Sequence, residues 1–209
     1  MTTSPLYAIT DTRLLENRLL ASVEAALKGG CRWIQYRDKS RDEARRRQET
    51  LALLDLCRRY QARLLINDDL ALAHEIDADG VHLGQGDGDP GQARRLLGPD
   101  ALIGVTCHDS LSLAHDARAA GASYAAFGRF FPSQTKPGAP PADKTLLTRA
   151  RAELPGLPLV AIGGVTLDNG GSLLQAGADR LAVSHHLFSA PDIEARARAF
   201  RQLARPLSA

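Results

Sequence analysis

Leu64-Leu65-Ile66-Asn67-Asp68-Asp69, then Leu70–Glu75, then Val81-His82-Leu83-Gly84-Gln85-Gly86-Asp87 form one complete unit: apolar run, polar ending, short helical stretch, apolar run, polar ending. Apolar runs this short, bounded by Gly, Asn and Asp, read as buried strands of a parallel sheet. The pattern recurs along all 209 residues. Leu6-Tyr7-Ala8-Ile9 ends in Thr10-Asp11, and Trp33-Ile34 runs into Gln35-Tyr36-Arg37-Asp38-Lys39. Ile103-Gly104-Val105 ends in Thr106-Cys107-His108, and Phe127 leads to Ser133-Gln134-Thr135-Lys136. Val160-Ala161-Ile162 stops at Gly163-Gly164, and Leu181-Ala182-Val183 stops at Ser184. Eight strands alternating with helices predict an α/β fold, a single (β/α)8 TIM barrel over residues 1–209, with an open doubly wound sheet as the alternative. In a barrel the carboxyl ends of the strands open onto one face, so the eight polar endings would converge on one site.

Helices are expected at Leu14–Lys28, closed by Gly29-Gly30, and at Arg41–Tyr60, capped by Ser40. The charge run Arg41–Arg47 reads as a solvated helix face in which Asp42 pairs with Arg46 and Glu43 with Arg47, four residues apart. Further helices are expected at Leu70–Glu75, Gly91–Leu97, Ser110–Ala120, Ala142–Glu153, Asp168–Ala176 and Ile193–Leu203. Ala120-Gly121-Ala122-Ser123 and Ala176-Gly177-Ala178-Asp179 each close a helix and feed a strand, a repeat of architecture rather than of sequence. The Pro- and Gly-rich piece Lys136–Pro141 lies inside the alternation and reads as an active-site loop.

The 26 basic and 24 acidic residues nearly balance, and no basic arm or acidic tail stands out. Nothing in the sequence asks for nucleic acid or a membrane surface as partner, and it is silent on oligomeric state. Met1-Thr2-Thr3-Ser4-Pro5 lacks the basic and apolar regions of a signal peptide. The three cysteines, Cys31, Cys57 and Cys107, have no metal-type spacing and read as reduced thiols of a cytoplasmic protein. Only four lysines occur, Lys28, Lys39, Lys136 and Lys144, and two of them fall in strand-end segments.

Gln35, Arg37 and Lys39 alternate, so they share a direction if their strand continues, and together they suit a polyanion. A surface salt-bridge cluster around Asp38 is the plain alternative. Asp68 and Asp87 end adjacent strands, and two carboxylates so placed match a magnesium site that also takes substrate phosphates. Asp69, directly before a helix, reads as its cap. Gly163-Gly164 and Val183-Ser184 close the last two strands, the corner where such barrels often bind phosphate through backbone N–H groups. His82 reads as a hydrogen-bonded interior residue, His74 and His115 as helix residues. His108 sits near the mouth, suited to proton transfer or to a plain surface position. His185-His186 lacks the partners of a zinc motif, and Cys107 reads as packing.

Taken in order, Tyr7-Ala8-Ile9-Thr10-Asp11, Gln35-Tyr36-Arg37-Asp38-Lys39, Asn67-Asp68-Asp69, Gly80–Asp87, Thr135-Lys136 and Ile162-Gly163-Gly164-Val165 resemble the thiamine-phosphate synthase family, from about Leu6 to Phe200. The resemblance implies a barrel transferase that couples an amino- and methyl-substituted hydroxymethylpyrimidine diphosphate to a thiazole phosphate, plain or carboxylated. Thiamine phosphate and pyrophosphate are its products and Mg2+ its cofactor. It implies that Gln35, Arg37, Lys39, Asn67, Thr106 and Lys136 hold the pyrimidine diphosphate, with Arg37, Lys39 and Lys136 catalytic and Tyr36 and Asp38 also among the substrate-binding residues. Asp68 and Asp87 would ligate magnesium, and Ser133, Gln134, Thr135, Gly164, Val183 and Ser184 would hold the thiazole phosphate. The implied chemistry is dissociative, so no protein nucleophile is needed. Ser133 stands where the family commonly has threonine, and His185 where it usually has a small residue. Two rivals share the fold: a thiazole tautomerase, and a non-catalytic binder of a phosphorylated ligand. A tautomerase has no use for Lys39, Asp68, Asp87 and Lys136 together, and a non-catalytic relative would be expected to lose some of these charged residues.

Overall fold

The computed structural model describes residues 4–132 and 141–203. Its eight parallel strands are β1 Leu6–Ile9, β2 Trp33–Tyr36, β3 Arg63–Asn67, β4 Gly80–Leu83, β5 Leu102–His108, β6 Tyr124–Phe127, β7 Leu159–Ile162 and β8 Arg180–Val183. They pair in sequence order and β8 returns to β1, closing a barrel. The helices are α1 Thr12–Leu15, α2 Leu19–Lys28, α3 Glu43–Arg59, α4 Leu70–Glu75 and α5 Pro90–Leu97. They continue with α6 Leu111–Ala119, α7 Thr145–Glu153, α8 Leu167–Ala176, α9 His185–Phe188 and α10 Ile193–Gln202. The closed barrel, not the open sheet, is the fold.

Alternation along each strand divides the core in two. Leu6, Ala8, Ile34, Tyr36, Leu64, Ile66, Val81 and Leu83 face outward and are buried under the helices. Tyr7, Ile9, Leu65, Tyr124, Ala126, Val160 and Ala182 fill the interior, with Trp33, Leu102 and Ile162 packed against them. No helix among the described residues is long and apolar enough to cross a membrane.

The expected first helix is broken. Glu16 takes φ 41°, so α1 ends at Leu15, a 3-10 turn covers Glu16–Arg18, and α2 starts at Leu19. The cap of α3 is Asp42, whose side chain accepts from Arg45 N, not Ser40. The expected pairs within α3 give way to longer reaches: Arg46 pairs with Asp69 (2.7 Å) and Arg47 with Glu75 (2.5 Å), joining α3 to α4.

At the amino end of the barrel a device repeats. Asp79, Ser123 and Asp179 each precede an even-numbered strand, and each side chain accepts the backbone N–H of the strand before: Leu64 (2.8 Å), Ile103 (3.0 Å) and Leu159 (2.7 Å). Each is bonded to an arginine, Arg63, Arg94 and Arg151. Two of the three are the Ser123 and Asp179 positions of the repeat visible in the sequence.

Candidate active site

The carboxyl end gathers the polar endings. β2 stops at Tyr36, so Gln35, Arg37 and Lys39 do not share one direction. Gln35 points into the barrel and is nearly buried, donating from Nε2 to Tyr7 OH at 2.7 Å. Arg37 turns toward the β1 loop, where its guanidinium lies 3.7 Å from Asp11, and its backbone N–H donates to the buried Thr10 hydroxyl at 3.0 Å. Lys39 turns the other way and pairs with Asp68. Two clefts flank this loop. One, of about 660 Å³, is lined by Asp11, Arg13, Glu16, Arg37 and Arg45 among others. The second, of about 600 Å³, lies against Arg46, Asn67, Asp68, Asp87 and Gln92. Asp38, Lys39 and Ser40 line both.

Asp38 sits between the two cations and faces neither. Its carboxylate accepts from Ser40 N (2.8 Å), Ser40 Oγ (2.9 Å), Thr12 Oγ1 (3.1 Å) and Arg45 (2.6 Å). Burial opposes ionisation, but these donors outweigh it and hold the carboxyl below the usual range. Tyr36 faces outward and donates to Glu49 of α3 at 2.6 Å. Burial, then the Glu49 carboxylate, push its phenol up. Through these bonds Tyr36 and Asp38 tie the loop to α3 at Glu49 and Arg45.

Asp68 and Asp87 come together at the ends of β3 and β4. Asp68 has φ 63° and accepts from Asn67 Nδ2 at 2.6 Å as well as from Lys39. Gly84 marks the closeness: a Cβ there would lie 2.3 Å from Asp87 Oδ2 and 4.0 Å from Asp68 Oδ1. Burial disfavours the Asp68 anion, but Lys39 outweighs it and the carboxyl is held low. Burial and the Asp68 charge push Asp87 up. Two hard carboxylates converging with surplus negative charge fit magnesium, which takes few protein ligands and completes its shell with water and phosphate oxygens. No group of three His, Cys, Asp or Glu suited to a metal occurs among the described residues. Asp69 caps α4, accepting from Leu72 N at 2.9 Å.

Thr106 meets the interior His82, its Oγ1 lying 2.9 Å from Nε2. His108 ends β5 with φ 50°. Gly163 and Gly164 have φ 99° and 62°, and a Cβ on Gly164 would lie 2.3 Å from the Pro132 carbonyl. Only glycine lets that strand end pack under the chain leading to residue 133. Ser133, Gln134, Thr135 and Lys136 lie outside the described residues. Val183 ends β8, and Ser184 opens the short α9. His185 is exposed, while His186 turns to Arg196. The sequence reading missed Asp11, the partner of Arg37, and the tyrosines under the rim. Tyr7 alternates with Ile9 on β1, which was the available signal.

A family model described as "Thiamine monophosphate synthase" matches residues 6–187 of the chain. A curated relative from Methylobacillus flagellatus, described as "Thiamine-phosphate synthase", is 54% identical over 198 residues, covering 95% of this chain and 94% of that one. A solved structure described as thiamine phosphate pyrophosphorylase from Pyrococcus furiosus superposes with TM-score 0.85 at 32% identity, covering 97% of this chain and 96% of that one. An orotidine 5'-phosphate decarboxylase structure from Pyrococcus horikoshii, at 12% identity and TM-score 0.64, covers 96% of this chain and 100% of that one and shares the fold alone.

Proposed function

The chain belongs to the thiamine monophosphate synthase family, and from that premise we propose how its own residues carry out the reaction. It is a transferase that joins a pyrimidine to a thiazole moiety to make thiamine phosphate. Residues 1–209 serve as one functional domain, and a cytoplasmic place is in keeping with three buried, unpaired cysteines.

Arg37, Lys39 and Lys136 bind the diphosphate of the pyrimidine substrate, with Asn67, Gln35 and Thr106 beside it. Asp68 and Asp87 would hold magnesium jointly with that diphosphate, and the ion would add fixed positive charge where the leaving group gathers negative charge. Tyr36 and Asp38 hold the loop that carries Arg37 and Lys39 rather than touching the ligand. Gly164, Val183 and Ser184, with Ser133, Gln134 and Thr135, take the thiazole phosphate, plain or carboxylated.

The reaction needs charge more than it needs bases. Pyrophosphate leaves first, and the thiazole nitrogen captures the pyrimidine methyl cation. One unit charge about 4 Å from the leaving group is worth about 4 kcal/mol at an effective dielectric of about 20. That is roughly a thousandfold in rate. The observation that carries the reading is the Lys39–Asp68–Asp87 cluster on neighbouring strand ends. The test is to mix both halves with magnesium and assay thiamine phosphate and released pyrophosphate. Thiazole isomerisation without pyrophosphate release would instead indicate a tautomerase. Lys136→Ala should slow coupling about a hundredfold or more, and normal coupling would remove that lysine from the site.

A further inference from the structure

The chain turns sharply where β3 gives way to α4. The Asp69 N–H donates to the Asn67 carbonyl at 2.8 Å, closing a three-residue turn around Asp68, whose φ is 63°. A γ-turn with its central residue at positive φ is rare and strained, and a side chain at that centre adds to the strain. Such a conformation persists only where the surroundings fix it from several sides. Here it carries the Asp68 carboxylate to Asp87: the Cβ position at Gly84 lies 2.3 Å from Asp87 Oδ2 and 4.0 Å from Asp68 Oδ1.

Two anchors hold the turn. On the strand side, the Asp68 N–H donates to the His82 carbonyl of β4 at 2.8 Å. On the helix side, Asp69 uses both carboxylate oxygens. Oδ1 accepts the Leu72 N–H at 2.9 Å as the cap of α4, and Oδ2 accepts from Arg46 Nη2 at 2.7 Å. The Arg46 side chain reaches over from α3 and is only 16% exposed. Its Nε is buried and has no hydrogen-bond partner among the described residues. The guanidinium therefore holds Asp69 through one nitrogen, not as a two-pronged fork. The residue before it, Arg45, holds Asp38 of the β2 loop at 2.6 Å. Successive residues of one helix thus fix the loop that carries Lys39 and the turn that carries Asp68, and those two side chains pair.

We propose that Arg46 is a positioning residue for the divalent-cation site: through Asp69 it holds the strained turn in the form that sets the Asp68 carboxylate against Asp87. The inference rests on the reading of Asp68 and Asp87 as magnesium ligands in the proposed function. Charge and position predict opposite signs here. Arg46 is a cation near a site for a cation, so by charge alone its loss would strengthen the hold on a divalent ion. By position its loss weakens that hold. Asp69 keeps the helix cap but loses its tether, and the turn relaxes toward ordinary backbone that carries Asp68 away from Asp87.

The test is binding of Mn2+ to the full-length enzyme, followed by loss of the free ion's electron paramagnetic resonance signal. Manganese stands in for magnesium at oxygen ligands. Arg46→Met keeps the buried stem and removes the charge. It should weaken Mn2+ binding about tenfold and raise the magnesium needed for half-maximal coupling by a like factor. Arg46→Lys keeps a cation on Asp69 and should bind within about threefold of wild type. Arg47→Ala is the control, since Arg47 joins the same two helices through Glu75, the last residue of α4. It should bind Mn2+ within about twofold of wild type. Equal weakening in Arg47→Ala would show that helix docking matters rather than the hold on Asp69, and would overturn the inference. Unchanged or tighter binding in Arg46→Met overturns it too, as does Arg46→Lys binding no better than Arg46→Met. Wild-type binding that is absent, or that survives in Asp68→Asn, would remove the magnesium reading and this inference with it. Binding that Asp68→Asn abolishes and Arg46→Met leaves intact removes the positioning role alone.

Discussion

The two ends of the barrel use the same residue types for opposite ends. At the amino end, Asp79 and Asp179 bond to backbone N–H groups of neighbouring strands, and arginines hold them there. Arg94 goes further: its guanidinium donates to the carbonyls of Gly98, Pro99, Ala101 and Gly121 and to the Ser123 hydroxyl. These charges fix strand register. At the carboxyl end, Arg37 meets Asp11, Lys39 meets Asp68, and Asp68 meets Asp87. Side chain bonds to side chain there, like charges sit together, and Asp87 resists ionisation. A rim bonded to its own backbone serves the fold, whereas a rim bonded through exchangeable ion pairs is ready to trade them for a ligand's charges.

The sharpest way to break that contrast is to remove one charge from each rim. Asp68→Ala should cut coupling about a thousandfold or more, since metal and diphosphate contacts are lost together. Its melting temperature should stay within about 2 °C of wild type. Retained turnover with magnesium present would remove Asp68 from the metal site. Arg94→Ala should do the reverse. It leaves the carbonyls of Gly98, Pro99 and Gly121 to find new partners, with Ala101 keeping the Ser123 hydroxyl, costing about 2–4 kcal/mol of stability by urea titration, while kcat/KM stays within about twofold. A loss of activity as large as its loss of stability would erase the division between the two ends.

A third prediction concerns neither rim. Cys31, Cys57 and Cys107 are buried, and burial pushes their thiols up to about 11, 12 and 12. Native protein at pH 8 should take up less than about one equivalent of a thiol reagent, against three after unfolding. Rapid labelling of the native chain would show that the layer between strands and helices opens readily.

Strand number and the neighbouring of Asp68 with Asp87 were legible because both are local facts. Apolar runs with Gly, Asn and Asp endings mark strand ends, and consecutive strands lie side by side in a parallel barrel. What failed was what depends on competition or distance. Ser40 has a capping hydroxyl, but that hydroxyl donates to Asp38, so Asp42 takes the cap. Arg46 and Arg47 have partners four residues back, but their long stems reach Asp69 and Glu75 on the next helix instead. The Tyr7–Tyr124 bond was out of reach altogether, for it spans 117 residues. Period-two alternation says that both face inward and nothing about whom they meet.

Asp38 sharpens the comparison with the smallest expected effect, because it stands at the ligand rim and is bonded like the opposite one. Its donors include the Ser40 backbone N–H, and its side chain is only 2% exposed. Its folded carboxyl is held below the usual range, so its ionised form stabilises the fold above the ordinary carboxylate value of about 4. That contribution disappears as pH falls through the ordinary value and on through the depressed one. Asp38→Asn cannot titrate and keeps only part of the acceptor capacity. It should therefore be less stable than wild type by about 1 kcal/mol at pH 7, and the gap should close at about pH 3. Urea midpoints at the two pH values measure this. The variant should also raise KM for the pyrimidine diphosphate more than it lowers kcat, since Asp38 orders the loop from which Arg37 and Lys39 extend and touches no reacting atom. A gap that stays constant with pH would mean that the carboxylate's charge is not what ties that loop down.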